Sequence, residues 1–229
     1  MRKTTTAQSL YFPPGKIEQL CLAELRYAGL LPDQPAPIRI DRYIEKRYRI
    51  TPDYQPLDPG ILGATVFEDG HPVALYVSAA LEQESSLVGE RRLRSTLAHE
   101  AGHCLLHAPL FTGADDTATL FADRTEPARP KVLCREDNIG TDLRGYDGRW
   151  HEYQANLAIG GFLLPTPLVQ LALAPFTRCE GLLGTPTLDW TRAEDAAHEL
   201  GNLFNVNPVV ARIRLDHLFG ATKEGQQLL

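Results

Sequence analysis

Two stretches of the chain repeat apolar residues at the spacing of a buried helix. In residues 91–108 no proline interrupts the pattern, and apolar positions recur four apart at Leu93, Leu97, Ala101 and Leu105. Residues 150–165 carry a similar stripe through Ala155, Ile159 and Leu163, and two prolines, Pro165 and Pro167, follow the last apolar residues. Both stretches therefore predict helices that lie in the core.

Residues 61–78 show the pattern of a β-hairpin. Two runs rich in β-branched and aromatic residues flank the segment Glu68-Asp69-Gly70-His71, and Asp-Gly is a strong signal for a tight turn. A shorter run, residues 131–134, suggests one further strand. Residues 111–130 and 135–149, on either side of this run, are polar with little periodicity. They indicate long loops, of which the first is interpreted as a lid over a site.

The C-terminal part predicts two more helices. Thr191 and Glu194 fit a capping box for a helix through Phe204, and Asn207 with Pro208 fits the start of a helix that ends near Gly220. This pair resembles a helix-turn-helix, with Arg212 and Arg214 on the second helix. Two arginines provide little positive charge for binding DNA. A helical hairpin packed on the rest of the protein is therefore the preferred interpretation.

These elements predict an α+β protein, mainly helical with a small twisted sheet. We divide it into a tail at residues 1–14, a main domain at 15–175 and a C-terminal helical subdomain at 176–229. Further helices are expected at 15–29, after Asp41 and from 168 to 174.

The composition of the chain argues against several classes of function. The 229 residues carry a net charge of −6, which argues against extensive nucleic-acid binding. We find no signal peptide and no run of apolar residues long enough for a membrane span. The four cysteines lack CxxC spacing, which suits reduced thiols in a cytoplasmic protein, and Cys104 is interpreted as buried packing.

The first helix carries an HExxH motif at His99, Glu100 and His103. Residues four apart lie on one face of a helix, so both imidazoles can bind a single zinc ion while Glu100 sits beside it as a general base. Gly102, in the middle of this helix, suggests close packing or access to the metal. The alternative is a core helix with two incidental histidines.

A third protein ligand is needed. Position 109, where some HExxH enzymes have a histidine, is Pro109, and His107 is more easily interpreted as a group that orients a ligand. Glu152 is the only carboxylate between residues 150 and 164, and a lone buried glutamate is costly unless it is paired or binds a metal. One turn later, Asn156 is placed to accept a hydrogen bond from a ligand histidine. A solvated Glu152 is the alternative.

Three segments in this order resemble the ImmA/IrrE family of cytosolic zinc metallopeptidases. They are RSTLAHEAGHCLLH, WHEYQANLAIGGFLLP with its ExxAN motif, and FNVNPVVARIRLDHLFG. The resemblance implies a zincin-like fold with one Zn²⁺ on His99, His103 and Glu152, and Glu100 as the base. It also implies a protein substrate, a helix-turn-helix repressor whose cleavage relieves repression in a mobile element or stress response.

Some points stay open at this stage. The group that stabilises the oxyanion has several candidates, His107, Tyr146, His151 and Tyr153. Two other functions compete with the peptidase. One is a regulator or toxin–antitoxin component that binds a repressor, or DNA through its C-terminal helices, without cleavage. The other is a zinc amidase acting on small molecules.

Overall fold

Helices dominate the computed structural model, which describes residues 11–112, 131–135, 150–180 and 185–226. The α-helices are α1 (Pro14–Tyr27), α2 (Ile40–Tyr48), α3 (Ala79–Gln83), α4 (Leu87–Leu106), α5 (Trp150–Leu163), α6 (Thr166–Ala172), α7 (Ala193–Phe204) and α8 (Pro208–Gln226). The strands are β1 (Asp53–Gln55), β2 (Ile61–Glu68), β3 (His71–Ser78), β4 (Lys131–Arg135), β5 (Thr177–Glu180) and β6 (Thr185–Leu188). The predicted α+β class is confirmed.

A four-stranded sheet with the order β1-β3-β2-β4 lies against α4. The predicted hairpin is confirmed: β2 and β3 pair antiparallel, and Asp69 (φ 48°) and Gly70 (φ 77°) form the turn with two left-handed residues. β4 pairs antiparallel with the other edge of β2, which confirms a strand at 131–134. The short strand β1, parallel to β3, was not predicted.

The two predicted core helices, α4 and α5, pack directly against each other. The two helices lie close together at Gly102, where an added Cβ would lie 2.8 Å from Cβ of Ala158 and 3.2 Å from Cα of Ala155. Only a residue without a side chain fits this contact. Gly102 therefore serves close packing, and the resulting proximity brings residues of α5 up to the HExxH face of α4.

The C-terminal part differs from its prediction in three ways. A second, two-stranded sheet, β5–β6, precedes α7. The predicted capping box is wrong, because Asp189 takes the backbone N–H of Thr191 (3.2 Å) and caps a 3₁₀ turn at Trp190–Arg192, after which α7 begins without a side-chain cap. α8 continues beyond Gly220 to Gln226. The N-terminal segment before residue 11, most of the loops at 111–149 and Tyr146 lie outside the described residues.

One hydrophobic core runs through both predicted domains, from Ile17 in α1 to Phe219 in α8. Arg214 is buried and links the two: it pairs with Glu18 of α1 and donates to the carbonyl oxygen of Leu164 (3.0 Å). Its side chain is thus committed to internal contacts. Arg212 pairs with Glu194 (2.7 Å) on the surface.

Within the described ranges, no single helix has the length and apolar character needed to cross a membrane. Only α5 and α6 taken together reach that threshold, and they are bent by 54°.

Candidate metal centre

His99, His103 and Glu152 meet at the contact between α4 and α5. The Nε2 atoms of the two histidines are 3.0 Å apart, and the Glu152 carboxylate oxygens lie 3.2 Å from His99 Nε2 and 3.5 Å from His103 Nε2. Bonds of about 2.1 Å from a tetrahedral zinc ion place ligand atoms about 3.4 Å apart. The three side chains are buried, and their spacing fits a single metal ion.

The helical period explains this arrangement. His99 and His103 are one turn apart on α4, so their rings project side by side. Glu152 lies in the first turn of α5, where the helix N-terminus favours a negative charge. The cost of burying this carboxylate is offset by the imidazoles that face it.

Both histidines are held in the orientation that metal binding requires. Nδ1 of His99 donates to Oδ1 of Asn156, one turn beyond Glu152, at 3.0 Å. Such a contact leaves the Nε2 lone pair directed at the metal position. The hydrogen bond expected between Asn156 and a ligand histidine is therefore present.

His103 is oriented by a relay of polar groups. Its Nδ1 lies 2.9 Å from Nδ1 of His107, whose Nε2 lies 3.3 Å from Oε1 of Gln154. The amide nitrogen of Gln154 in turn donates to the carbonyl oxygen of Phe12 at 3.4 Å. With an acceptor at the Gln154 end, His107 donates from Nε2 and accepts at Nδ1 from His103. His107 thus orients a ligand.

Glu100 is completely buried beside the histidines. One carboxylate oxygen accepts a hydrogen bond from the hydroxyl of Thr65 on β2 (2.5 Å), while Oε1 has no hydrogen-bond partner among the described residues. Burial raises the pKa of Glu100 to about 7, against the opposing effects of the His99 charge and the Thr65 hydrogen bond. A pKa near neutrality suits a carboxylate that accepts and returns protons.

Gly63 on β2 gives Glu100 its space. A Cβ at this position would lie 2.7 Å from Oε1 of Glu100 and 3.1 Å from the methyl carbon of Thr96. A side chain here would have to displace the Glu100 carboxylate from its place between the strand and α4.

Burial also shifts the pKa values of the other titratable residues at this site. It lowers the pKa of His103 well below its usual value, helped by the nearby His99, His107 and His151, and it lowers the pKa of His107 to about 3. Burial also opposes the charge on His99 and Glu152, but in each case the contacts with neighbouring side chains outweigh it. The pKa of His99 is raised by Cys134 and Glu152, and that of Glu152 is lowered by His99.

The remaining oxyanion candidates differ in their contacts. Nε2 of His151 lies 3.4 Å from Oε1 of Glu152, the oxygen that also faces His103. Tyr153, on the next face of α5, packs against the hydrophobic core. Both nitrogens of His107 have hydrogen-bond contacts, so it is not placed to donate to a substrate.

Three residues at the centre were missed by the sequence analysis: Thr65, Gln154 and Cys134. Sγ of Cys134 and ligand atoms of His99 and Glu100 all lie within 4.8 Å of one another. A cysteine that ends a predicted strand is a weak signal, and no spacing rule connects it to a helix thirty residues earlier. Cys104, in contrast, is buried packing as predicted.

No protein-family model and no curated protein matches this chain. The geometry itself defines the class of site: a buried group of two histidines and one glutamate that could hold a metal ion, with a second glutamate beside it.

Proposed function

We propose that this protein is a zinc-dependent endopeptidase of the ImmA/IrrE type with a zincin-like fold. His99, His103 and Glu152 would hold one zinc ion, and Glu100 would act as the general base. The observation that carries the proposal is the meeting of three side chains whose nitrogen and oxygen atoms approach to 3.0 to 3.5 Å. Beside them lies a buried carboxylate, Glu100, whose Oε1 is unpaired among the described residues.

A zinc ion held by these three residues would supply Lewis-acid chemistry, which polarises a carbonyl group and lowers the pKa of a water molecule to about 7. Glu100 takes the proton of the attacking water through Oε1 and later delivers it to the leaving amine. Thr65 holds the other oxygen of this carboxylate, which fixes the direction of Oε1. Asn156 and His107 keep the histidine rings from rotating.

His151 is the preferred donor to the developing oxyanion. Its Nε2 is close to the Glu152 carboxylate and therefore to the metal position. A hydrogen-bond donor fixed near the place where negative charge develops contributes about 3 to 4 kcal/mol to lowering the barrier. His107 is less suitable because both of its ring nitrogens have hydrogen-bond contacts, and Tyr153 because it packs against the hydrophobic core.

The proposed substrate is a helix-turn-helix repressor, and the proposed location is the cytoplasm. Both rest on the resemblance of the HExxH, ExxAN and C-terminal segments to the family. The proposed partner is a separate protein, and direct DNA binding is disfavoured because Arg214, one of the two arginines of the second C-terminal helix, is buried in an ion pair.

The test mixes purified, zinc-loaded protein with the helix-turn-helix repressor encoded nearest its gene. Intact-mass spectra are recorded over time for the wild type and for Glu100→Gln, which keeps the size of the side chain but removes the base. One new pair of fragments, formed by the wild type alone, supports the proposal. Equal cleavage by both proteins would refute the role of Glu100, and binding without cleavage would favour the non-proteolytic regulator.

A further inference from the structure

The main chain just before α1 takes part in the polar contacts that orient His103. Nδ1 of His103 faces Nδ1 of His107 at 2.9 Å, and Nε2 of His107 faces Oε1 of Gln154 at 3.3 Å. The amide nitrogen of Gln154 donates to the carbonyl oxygen of Phe12 at 3.4 Å. We call His103, His107 and Gln154 the relay. A backbone oxygen far away in sequence thus lies at the end of the relay opposite the metal position.

The relay has two hydrogen-bonded arrangements that contain the same number of protons. In the first, His103 donates from Nδ1, His107 donates from Nε2, and Gln154 donates from its amide nitrogen. In the second, the Gln154 amide is turned over, each hydrogen bond within the relay is reversed, and His103 carries its proton on Nε2. A metal ion binds only a ring nitrogen without a proton. The first arrangement alone therefore leaves Nε2 of His103 ready for a metal.

Phe12 selects the first arrangement, because a carbonyl oxygen accepts hydrogen bonds and cannot donate them. Turning the Gln154 amide over would place Oε1 against this oxygen, so that two acceptors would face each other. Gln154 is completely buried, and a buried polar atom without a partner is costly. The amide nitrogen of Gln154 therefore stays toward Phe12, and its oxygen stays toward His107.

The surrounding sequence holds the carbonyl oxygen of Phe12 in place. Phe12 precedes Pro13, which restricts it to extended conformations, and Pro13 is itself extended as the N-cap residue of α1 (φ −64°, ψ 153°). The ring of Phe12 packs against the hydrophobic core, and α1 packs against α5, which carries Gln154. The position of this oxygen is thus fixed by packing that does not involve the proposed metal ligands.

We propose that the carbonyl oxygen of Phe12 sets the direction of the relay, and that Gln154 is the positioning residue that transmits this direction to His103. The inference rests on the metal site of the proposed function. It adds a determinant that a restraint on the ring alone does not supply, because the His103 ring has the same orientation in both arrangements and only one of them can bind a metal.

Two pairs of full-length variants separate the direction of the relay from packing. Gln154→Met removes both polar groups at nearly constant length. Gln154→Glu is its control, because a neutral carboxyl group offers a donor to Phe12 and an acceptor to His107, and an ionised one still offers the acceptor. Phe12→Ala loosens the segment that holds the carbonyl oxygen, and Tyr11→Ala is the control because Tyr11 is 61% exposed.

Nitrogen-15 NMR of the metal-free proteins shows which ring nitrogen of His103 carries the proton. Zinc affinity is measured separately by competition with a chelator. We expect the proton on Nδ1 in the wild type, Gln154→Glu and Tyr11→Ala. In Gln154→Met and Phe12→Ala, a population with the proton on Nε2 should appear, and zinc affinity should fall by about tenfold.

A proton on Nε2 of His103 in the wild type would overturn this inference and leave the proposed function standing. The same holds for equal effects of Gln154→Glu and Gln154→Met, which would show that Gln154 acts through packing alone. If Gln154→Met does not fold, Phe12→Ala decides the matter, and an unchanged His103 tautomer in that variant would overturn the inference. A wild type with the expected tautomer that binds no zinc would instead refute the proposed function and support the direction of the relay.

Discussion

Asn156 accepts a hydrogen bond from Nδ1 of His99 at 3.0 Å. It lies one turn after Glu152, so α5 presents both a proposed metal ligand and the group that orients His99 of α4. The two polar residues of the ExxAN motif therefore act on the same histidine: the glutamate faces Nε2 of His99, and the asparagine fixes its tautomer at Nδ1.

Replacing Asn156 should weaken metal binding without removing a ligand. In Asn156→Ala the His99 ring loses its acceptor, and we expect zinc affinity to fall about 10- to 100-fold. Asn156→Asp, which keeps an acceptor oxygen, is the control and should retain most of the affinity. Competition with a fluorescent zinc chelator measures the difference, and equal affinities of Asn156→Ala and the wild type would contradict the orienting role.

The parts of this molecule that the sequence predicted are those with a local pattern. His99, Glu100 and His103 share one helix face by spacing alone, and the single carboxylate of α5 pointed to Glu152. The β2–β3 hairpin followed from Asp69-Gly70, whose left-handed conformations favour this turn. In each case, neighbours in sequence decide the structure.

What escaped prediction depends on contacts between distant segments. Thr65 and Cys134 reach the centre only because β2 and β4 lie against α4. The capping box failed for a different, local reason: Asp189, two residues upstream, takes the N–H of Thr191 and caps a 3₁₀ turn there. Sequence spacing within one helix carries no information about such competing partners.

Gly102 should tolerate no side chain. In Gly102→Ala the new Cβ would lie 2.8 Å from Cβ of Ala158, so α4 and α5 must separate. We expect a loss of about 1 to 3 kcal/mol in the free energy of unfolding, together with weaker metal binding because Glu152 moves away from the histidines.

The matched control is Gly220→Ala on α8, where an added Cβ meets nothing within 4 Å. Helix propensity alone should make this variant more stable by up to about 1 kcal/mol. Urea unfolding compares the two substitutions. Equal effects of both would show that the α4–α5 contact is not tight at Gly102.

The two arginines of α8 should differ strongly in their contribution to stability. Arg214→Met leaves the part-buried Glu18 without its ion-pair partner, and we expect a loss of about 2 to 4 kcal/mol. Arg212→Met removes a partly exposed pair with Glu194 and should cost less than about 1 kcal/mol. Urea unfolding of the two variants tests the difference, and a stable Arg214→Met protein would reopen a surface role for Arg214.

His107 should make the metal-free protein sensitive to acid. Its relay contacts need a neutral ring, because Nδ1 accepts from His103 while Nε2 donates to Gln154. A second ring proton would place two N–H groups against each other. This agrees with burial lowering the pKa of His107 from 6.5 to about 3 in the folded protein.

Acid should lower the free energy of unfolding, because the pKa of His107 is lower in the folded protein than in the unfolded chain. Below pH 6.5 the unfolded chain binds a proton at His107 that the folded protein does not, so the free energy of unfolding falls as the pH falls toward 3. The limiting slope is about 1.4 kcal/mol per pH unit. His107→Asn keeps a polar side chain but cannot titrate, so subtracting its stability from that of the wild type cancels the other groups to a first approximation. Urea unfolding is measured in the presence of a chelator between pH 7.5 and 4.5, a rough working range. The difference in stability should shrink as the solution is acidified. A constant difference would disprove the neutral relay.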